Sequence, residues 1–208
     1  MEMHIHVTNV KLNIARCLFV INRVKNILPH SALKALYFKL VHSRLNYGIL
    51  AWGNSPSINK LITIQKRAIR IINNKPYRAH TEPLFKKEKI QKLTDMYNSQ
   101  VQLFMHDYLH NKLPNSFINL FQNKNTSSMR TRFQENNLYL EQPRNNFSEK
   151  LPKHNFPCKW NKLDNELKTI HSRETFKRTI IDKNIKEYAE HITCNNPVCI
   201  ECTSNNNN

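Results

Sequence analysis

The sequence predicts a mainly α-helical chain, with a helical bundle followed by a smaller, mixed but mostly helical C-terminal region. Apolar residues recur every three or four positions through the first half, which is the spacing of one helix face. Proline and capping residues interrupt this periodicity at short intervals. Both glycines of the 208-residue chain lie in one turn, LNYGILAWGN. These features favour antiparallel helices joined by short connections.

Three helices are predicted in the first part of the chain. The apolar spacing predicts a first helix over about 8–27, closed by Pro29, and a second that Ser31 caps and that ends near Asn46. After the glycine turn, Ser57 can cap a third helix that continues to Asn74. Its apolar side is expected to pack on the first two helices.

The second half shows weaker periodicity. A short helix capped by Thr81 and a longer helix over 92–111 are predicted before Pro114. An extended piece is predicted at LYLEQP, with helices over 160–167 and 176–188, the latter capped by Ser172. The chain is therefore expected to comprise a helical bundle (4–121), an exposed linker (122–135), a C-terminal helical region (136–190) and a Cys- and Asn-rich tail (191–208).

The charge of the chain predicts a polyanionic partner. Lys and Arg number 32 against 15 Asp and Glu, which gives a formal net charge of +17. Between Met3 and Thr81 there are thirteen Lys and Arg and no carboxylate side chain. Local ion pairs cannot neutralise these cations, and solubility alone does not require so large a charge.

The third predicted helix carries a basic stripe opposite its apolar side. Lys60, Arg67 and Arg70 recur at helical spacing on this stripe, and the following loop places an aromatic ring among further cations. Cations suit phosphate contacts, and an aromatic ring suits base stacking. The alternative is an ordinary solvated helix face. The candidate nucleic-acid-binding residues are Lys60, Lys66, Arg67, Arg70, Lys75, Tyr77 and Arg78.

Membrane insertion and secretion are not indicated by the sequence. No apolar run approaches the length of about eighteen residues that a membrane-spanning helix needs. The first residues, MEMHIHVTNVKLN, lack the apolar stretch of a signal peptide. Five cysteines, an odd number with four at or after Cys158, do not resemble a disulfide framework. A reducing, intracellular location is expected, with nucleus and cytoplasm both open.

No catalytic residue is predicted. Two-metal polymerisation needs clustered carboxylates, whereas Asp164 and Glu166 point to different sides of a predicted helix. His106 and His110 have the spacing of a metalloprotease helix but lack its Glu, so polar-face residues are the alternative. Glycine-rich phosphate loops are excluded because the chain has only two glycines.

The tail holds one arrangement with the spacing of a metal site. A His and three Cys in the pattern H-x2-C-x4-C-x2-C can supply the four ligands of a tetrahedral zinc ion. The alternative is an unstructured tail that happens to contain cysteines. The four candidate ligands are His191, Cys194, Cys199 and Cys202. No other cofactor is expected.

Several runs resemble one family. LPHSALKALYFKLVHSRLNYGILAWGN, followed by IQKRAIRIINN and YRAHTEPLFKKEKI, is similar to the region after the palm in reverse transcriptases of non-LTR retrotransposons, especially the mobile element jockey type. The resemblance covers roughly 4–188. Its later parts are Thr131-Arg132, Leu-x-Leu-x-x-Pro over 138–143, Trp160-Asn161-x-Leu163, and Ser172 followed by Phe176-Lys177.

The resemblance implies a thumb-like helical bundle that grips an RNA–DNA hybrid or a duplex through its backbone. The metal-binding aspartates of this family lie in a palm before the matching region, so the chain itself is expected to bind nucleic acid without catalysis. The alternative is a non-enzymatic module that binds another protein or a second copy of itself through apolar faces that the missing palm leaves uncovered. A palm domain of a longer polypeptide is a further possible partner. Family motifs are matched by Gln65, Lys66, Arg67, Ala68 and Arg70, and by Tyr47, Gly48, Trp52 and Gly53.

Overall fold

The computed structural model describes residues 2–117, 119–121 and 137–188, with side chains from His4 onward. It confirms the prediction of a mainly α-helical chain, since the described residues form helices and no strand. The α-helices are α1 (Glu2–Val24), α2 (His30–Tyr37), α3 (Ser43–Asn46), α4 (Ile49–Trp52), α5 (Ile58–Ile72), α6 (Glu82–Glu88), α7 (Leu93–Leu109), α8 (Asn146–Lys150), α9 (Pro152–Asn161), α10 (Asn165–Lys168) and α11 (Arg173–Lys186).

The chain divides into two compact units, which we call unit 1 and unit 2. Among the described residues, unit 1 comprises 2–97 and 183–188, and unit 2 comprises 98–117, 119–121 and 137–182. The division falls within α7 and again within α11. The linker predicted over 122–135 and the tail predicted over 191–208 lie outside the described residues, and the four-part division stays a prediction.

The long helix α1 packs against α5 in unit 1. Val7, Ile14 and Ile21 are fully buried and recur every seven residues, which keeps them on one side of the helix. On α5, Leu61 and Ala68 have the same spacing and are also fully buried. Within the described ranges, no helix is long and apolar enough to cross a bilayer.

Helix starts in unit 1 differ from the predicted caps. Helix α2 begins two residues earlier than expected, with Pro29 and not Ser31 in the N-cap position, so Ser31 lies inside the helix. Ser57 and Thr81 occupy the predicted N-cap positions of α5 and α6, but neither side chain accepts a hydrogen bond from the helix. Between α2 and α3 the chain continues as a single π-helical turn, Phe38–His42.

The glycine turn between α3 and α5 has a specific geometry. Gly48 adopts a left-handed conformation with φ of 61°, which favours glycine. The indole Nε1 of Trp52 donates a hydrogen bond of 2.9 Å to the carbonyl oxygen of Tyr47. A Cβ atom at Gly53 would lie 2.3 Å from Cδ2 of Tyr97. The Y-G-x-x-x-W-G motif is therefore explained by backbone conformation and close packing.

In unit 2, the prediction of one helix over 160–167 is wrong. Helix α9 ends at Asn161, and Asp164 takes an extended conformation (φ −62°, ψ 144°) before the short helix α10. The Asn161 amide instead pairs with both backbone groups of Leu138, with each hydrogen bond 2.9 Å long. Helix α11 begins at Arg173, where the predicted cap Ser172 accepts a long 3.5 Å hydrogen bond from the Thr175 amide.

Candidate nucleic-acid interface

A groove of about 450 Å³ lies in unit 1 between α1, α5 and the turn that follows α5. Cationic side chains from both helices line it, and its remaining wall includes an aromatic ring and small polar groups. We call it the basic groove. Its lining residues are Lys11, Ala15, Asn59, Lys60, Thr63, Ile64, Arg67, Arg70 and Tyr77.

The structure brings together four of the seven predicted nucleic-acid-binding residues. Lys60, Arg67 and Arg70 line the basic groove from α5, and Tyr77 lines it from the turn. The other three, Lys66, Lys75 and Arg78, are exposed on unit 1 but are not among the groove-lining residues. Four of the predicted nucleic-acid-binding residues therefore line one groove, and the other three lie outside its lining.

Sequence reasoning missed the contribution of α1 to the groove. Lys11 adds a further cation, and Ala15, four residues later, lies on the same side of the helix. The apolar stripe of α1 indicated which side packs inward. It did not indicate that Lys11, next to that stripe, would lie beside the cations of α5, because this depends on how the two helices pack.

Arg70 has a structural contact as well as a groove position. Its Nε donates a 2.8 Å hydrogen bond to the carbonyl oxygen of Ala79. Its Cζ atom lies 5.8 Å from the ring centroid of Tyr77, which is a cation–π distance. Burial lowers the pKa of the Arg70 guanidinium, and interaction with Tyr77 opposes this shift. Arg70 therefore fixes the turn while it adds positive charge to the groove.

Among the described residues, the groove cations have no carboxylate partner. In the described part of the chain, no ion pair involves Lys11, Lys60, Arg67 or Arg70. The ammonium group of Lys60 lies 3.0 Å from the Nε2 atom of His4, to which it can donate a hydrogen bond. This matches the absence of Asp and Glu side chains between Met3 and Thr81. The described carboxylates of unit 1 therefore do not neutralise the positive charge of the groove.

Two residues of the Q-K-x-A-x-R run of α5 lie in the core. Gln65 is 1% exposed, and its Nε2 donates to the Tyr37 hydroxyl (3.1 Å) and to the Gln91 carbonyl oxygen (3.0 Å). Its Oε1 accepts a 2.8 Å hydrogen bond from the backbone amide of Leu93 at the start of α7. Ala68 is fully buried. Within Q-K-x-A-x-R, Gln65 and Ala68 therefore stabilise the bundle and the cations face outward.

The histidine pair of α7 lies in unit 2 and packs as part of the core. His106 is fully buried, and its Nε2 donates a 2.8 Å hydrogen bond to the carbonyl oxygen of Ile170. Its ring stacks on His110 and Phe176 at centroid distances of 4.1 and 4.5 Å. Among the described residues, no group of three His, Cys, Asp or Glu could hold a metal ion. The predicted zinc ligands His191, Cys194, Cys199 and Cys202 lie outside the described residues.

A second cavity, of about 400 Å³, lies in unit 2 at the end of α7. Its lining residues from Tyr108 to Phe117 include leucine, asparagine and proline but no charged side chain. Its lining therefore has no cationic side chain to attract an anion. Of these two cavities, the basic groove is the one whose chemistry fits the charge of the chain.

The fold and the groove define a strongly basic, mainly helical chain with a cationic cleft. No family model, curated protein or solved structure matches this chain.

Proposed function

We propose that unit 1 binds nucleic acid through its phosphate backbone, without sequence preference, in the basic groove. The observation that carries this proposal is the convergence of Lys11, Lys60, Arg67 and Arg70 on one groove without a carboxylate partner in the described chain. Cations at such a surface displace condensed counterions from phosphates, which supplies sequence-independent affinity. Lys66, Lys75 and Arg78 extend the positive surface beside the groove.

We also propose that the chain corresponds to the thumb and C-terminal region of a non-LTR retrotransposon reverse transcriptase. The quoted sequence runs and the helical architecture of unit 1 support this origin. The chain would then grip an RNA–DNA hybrid or a duplex and would not polymerise nucleotides itself. Genomic sequence that encodes an in-frame Asp-Asp palm next to this chain would make it part of an RNA-directed DNA polymerase.

The binding proposal is tested by fluorescence anisotropy with a labelled RNA–DNA hybrid and a labelled DNA duplex. The variant Lys60→Glu with Arg67→Glu reverses two groove cations whose side chains make no hydrogen bond to a backbone group among the described residues. The matched variant Arg16→Glu with Lys39→Glu makes the same change in net charge at exposed positions outside the groove lining. We expect loss of binding in the first variant and retention in the second. Equal losses would contradict a groove-specific site.

A second function, self-association, is favoured by the exposed face of α1. Ile5, Leu12 and Phe19 recur every seven residues and are 54, 53 and 61% exposed. They lie on the side of α1 opposite the buried stripe, and an apolar stripe of this kind indicates a packing surface. We propose that a second copy of the chain covers this stripe when no palm domain does.

Sedimentation velocity at low and high salt separates self-association from nucleic-acid binding. Dimerisation through the stripe should persist at high salt, because apolar contacts are not screened. Leu12→Ser with Phe19→Ser should yield a monomer, whereas Ser43→Ala, at an exposed site, should leave the oligomeric state unchanged. A wild-type chain that is monomeric at micromolar concentration would contradict this second function.

A further inference from the structure

The turn after α5 holds its backbone in a defined shape. Asn74 adopts a left-handed conformation with φ of 50°. The Lys75 amide donates to the Arg70 carbonyl oxygen at 2.9 Å, and the Asn74 amide donates to the Ile71 carbonyl oxygen at 3.1 Å. These are the two hydrogen bonds of a Schellman motif, which ends a helix in one conformation. The chain therefore leaves α5 in a fixed direction.

The following four residues form a turn that is held at its far end. The Ala79 amide donates a 3.1 Å hydrogen bond to the Pro76 carbonyl oxygen, and the proline ring fixes its own φ. The Ala79 carbonyl oxygen accepts the Arg70 Nε hydrogen bond, and Ala79 itself is 4% exposed. Tyr77 is thus presented by a turn that is ordered before any ligand arrives, which reduces the entropy lost on binding.

The Tyr77 side chain is apolar surface exposed at a cationic site. It is 76% exposed, although it lines the basic groove and lies beside the Arg70 guanidinium. Because the ring is mostly exposed, its position beside the groove contributes little to the stability of the folded chain. A ring beside cations is, however, the arrangement that binds single-stranded nucleic acid, where the cations contact phosphates and the ring stacks on a base.

We infer that the basic groove binds single-stranded nucleic acid in preference to a duplex, with one base stacked on Tyr77 and the adjoining phosphates on Lys11, Lys60 and Arg67. This inference rests on the proposed function and adds the class of ligand. A base stacks on a side chain only when its face is free, and in a duplex both faces are covered by neighbouring base pairs. The groove volume of about 450 Å³ lies within the range of small-ligand pockets, about 300–1,000 Å³, which suits one nucleotide.

The test measures anisotropy of three labelled probes with the intact chain: a thymidine 12-mer, an abasic deoxyribose-phosphate 12-mer and a 12-base-pair duplex. The wild-type chain should bind the thymidine strand more tightly than both the abasic strand and the duplex. Tyr77→Ala should weaken binding of the thymidine strand about 5- to 150-fold, the range for removing one base–aromatic stack. Binding of the abasic strand and of the duplex should stay within about twofold.

Two further variants identify the role of the ring. Tyr77→Phe keeps the aromatic face and should bind all three probes as the wild type does. Tyr47→Ala removes a ring of similar exposure, 78%, from a position outside the groove lining and should also have no effect. Far-ultraviolet circular dichroism on each variant checks that helicity is retained.

The outcomes separate this inference from the proposed function. If Tyr77→Ala weakens all three probes equally, or none of them, the stacking role is overturned. If that occurs while Lys60→Glu with Arg67→Glu still weakens every probe, phosphate binding in the groove stands and only the single-strand preference fails. If the charge reversal changes no probe, both the proposed function and the inference are wrong.

Discussion

The Gln65 amide joins α2, α5 and the start of α7 through hydrogen bonds to three polar groups. Its neighbours are the Tyr37 hydroxyl, the Gln91 carbonyl oxygen and the Leu93 amide. Burial raises the pKa of the Tyr37 hydroxyl, opposed by its hydrogen bond with Gln65, so this phenol stays neutral. A buried group that loses its partner costs about 1–3 kcal/mol. The glutamine is therefore a structural requirement of the bundle.

Gln65→Ala should lower the free energy of unfolding by about 2–4 kcal/mol, because it leaves more than one buried polar group unpaired. Lys66→Ala, at an exposed position on the same helix, should change it by less than about 0.5 kcal/mol. Urea denaturation followed by circular dichroism measures both values. Equal stability of the two variants would contradict a structural role for Gln65.

The two glycines should respond to substitution for different reasons. Gly53→Ala places a Cβ within 2.3 Å of the Tyr97 ring, and such overpacking costs about 1–3 kcal/mol. At Gly48 a Cβ meets nothing closer than 3.9 Å, but φ is 61°. Gly48→Asn should therefore be tolerated, whereas Gly48→Val should destabilise unit 1. Thermal unfolding of the three variants tests this, and a stable Gly53→Ala variant would contradict the packing.

His106 should make the stability of unit 2 depend on pH. Burial lowers the pKa of this imidazole below its ordinary value of 6.5, helped by His110 and Lys112 and opposed by the Ile170 hydrogen bond and Asp107. As the pH falls, the imidazole therefore takes up a proton in the unfolded chain before it does so in the folded chain. The contribution of His106 to the free energy of unfolding is fully present above about pH 6.5 and is lost progressively below it. His106→Gln should flatten the pH dependence of the unfolding midpoint between pH 7 and 5, and His154→Gln should not.

Helix α5 shows which features a sequence reveals and which it does not. Apolar spacing predicted the inward side, where Leu61, Ala68 and Ile72 are buried, and basic spacing predicted an outward face. The contribution of Lys11 could not be predicted, because helical periodicity gives the faces of one helix and not the neighbour against which each face packs.

The end of α9 is a second feature that the sequence alone does not reveal. The pattern Trp160 to Leu167 has helical spacing, yet the helix stops at Asn161. The side-chain amide of Asn161 pairs with both backbone groups of Leu138, which lies 23 residues earlier in the sequence. A tertiary contact of this kind overrides local propensity, and the sequence alone does not show it.

The C-terminus of α5 yields a prediction about the turn. Asn74 is left-handed, a conformation that costs an ordinary L-residue about 1–2 kcal/mol. Asn74→Gly should preserve or raise the unfolding midpoint and keep oligonucleotide binding. Asn74→Val should lower the midpoint and weaken binding of the thymidine 12-mer, because Tyr77 would lose its fixed support. Differential scanning calorimetry and anisotropy together test this, and normal binding by Asn74→Val would contradict it.

Charge is distributed unevenly along the entire chain, and this distribution gives the groove a positive electrostatic potential. The first eighty residues carry almost no acidic side chain, whereas the ion pairs of the described residues use carboxylates from Glu82 onward. Positive potential therefore accumulates on α1, α5 and the turn. Composition predicted a polyanionic partner, but the distinction between groove cations and other exposed cations required the packing of α1 on α5.

We would first measure the salt dependence of duplex binding between about 50 and 200 mM salt for the wild type, Lys60→Glu with Arg67→Glu, and Arg16→Glu with Lys39→Glu. The logarithm of affinity should fall linearly with the logarithm of salt concentration. Because each phosphate contact contributes about −0.9 to that slope, the groove variant should have a slope shallower by about 2 and the other variant an unchanged slope. Identical slopes for both variants would contradict phosphate binding in the basic groove.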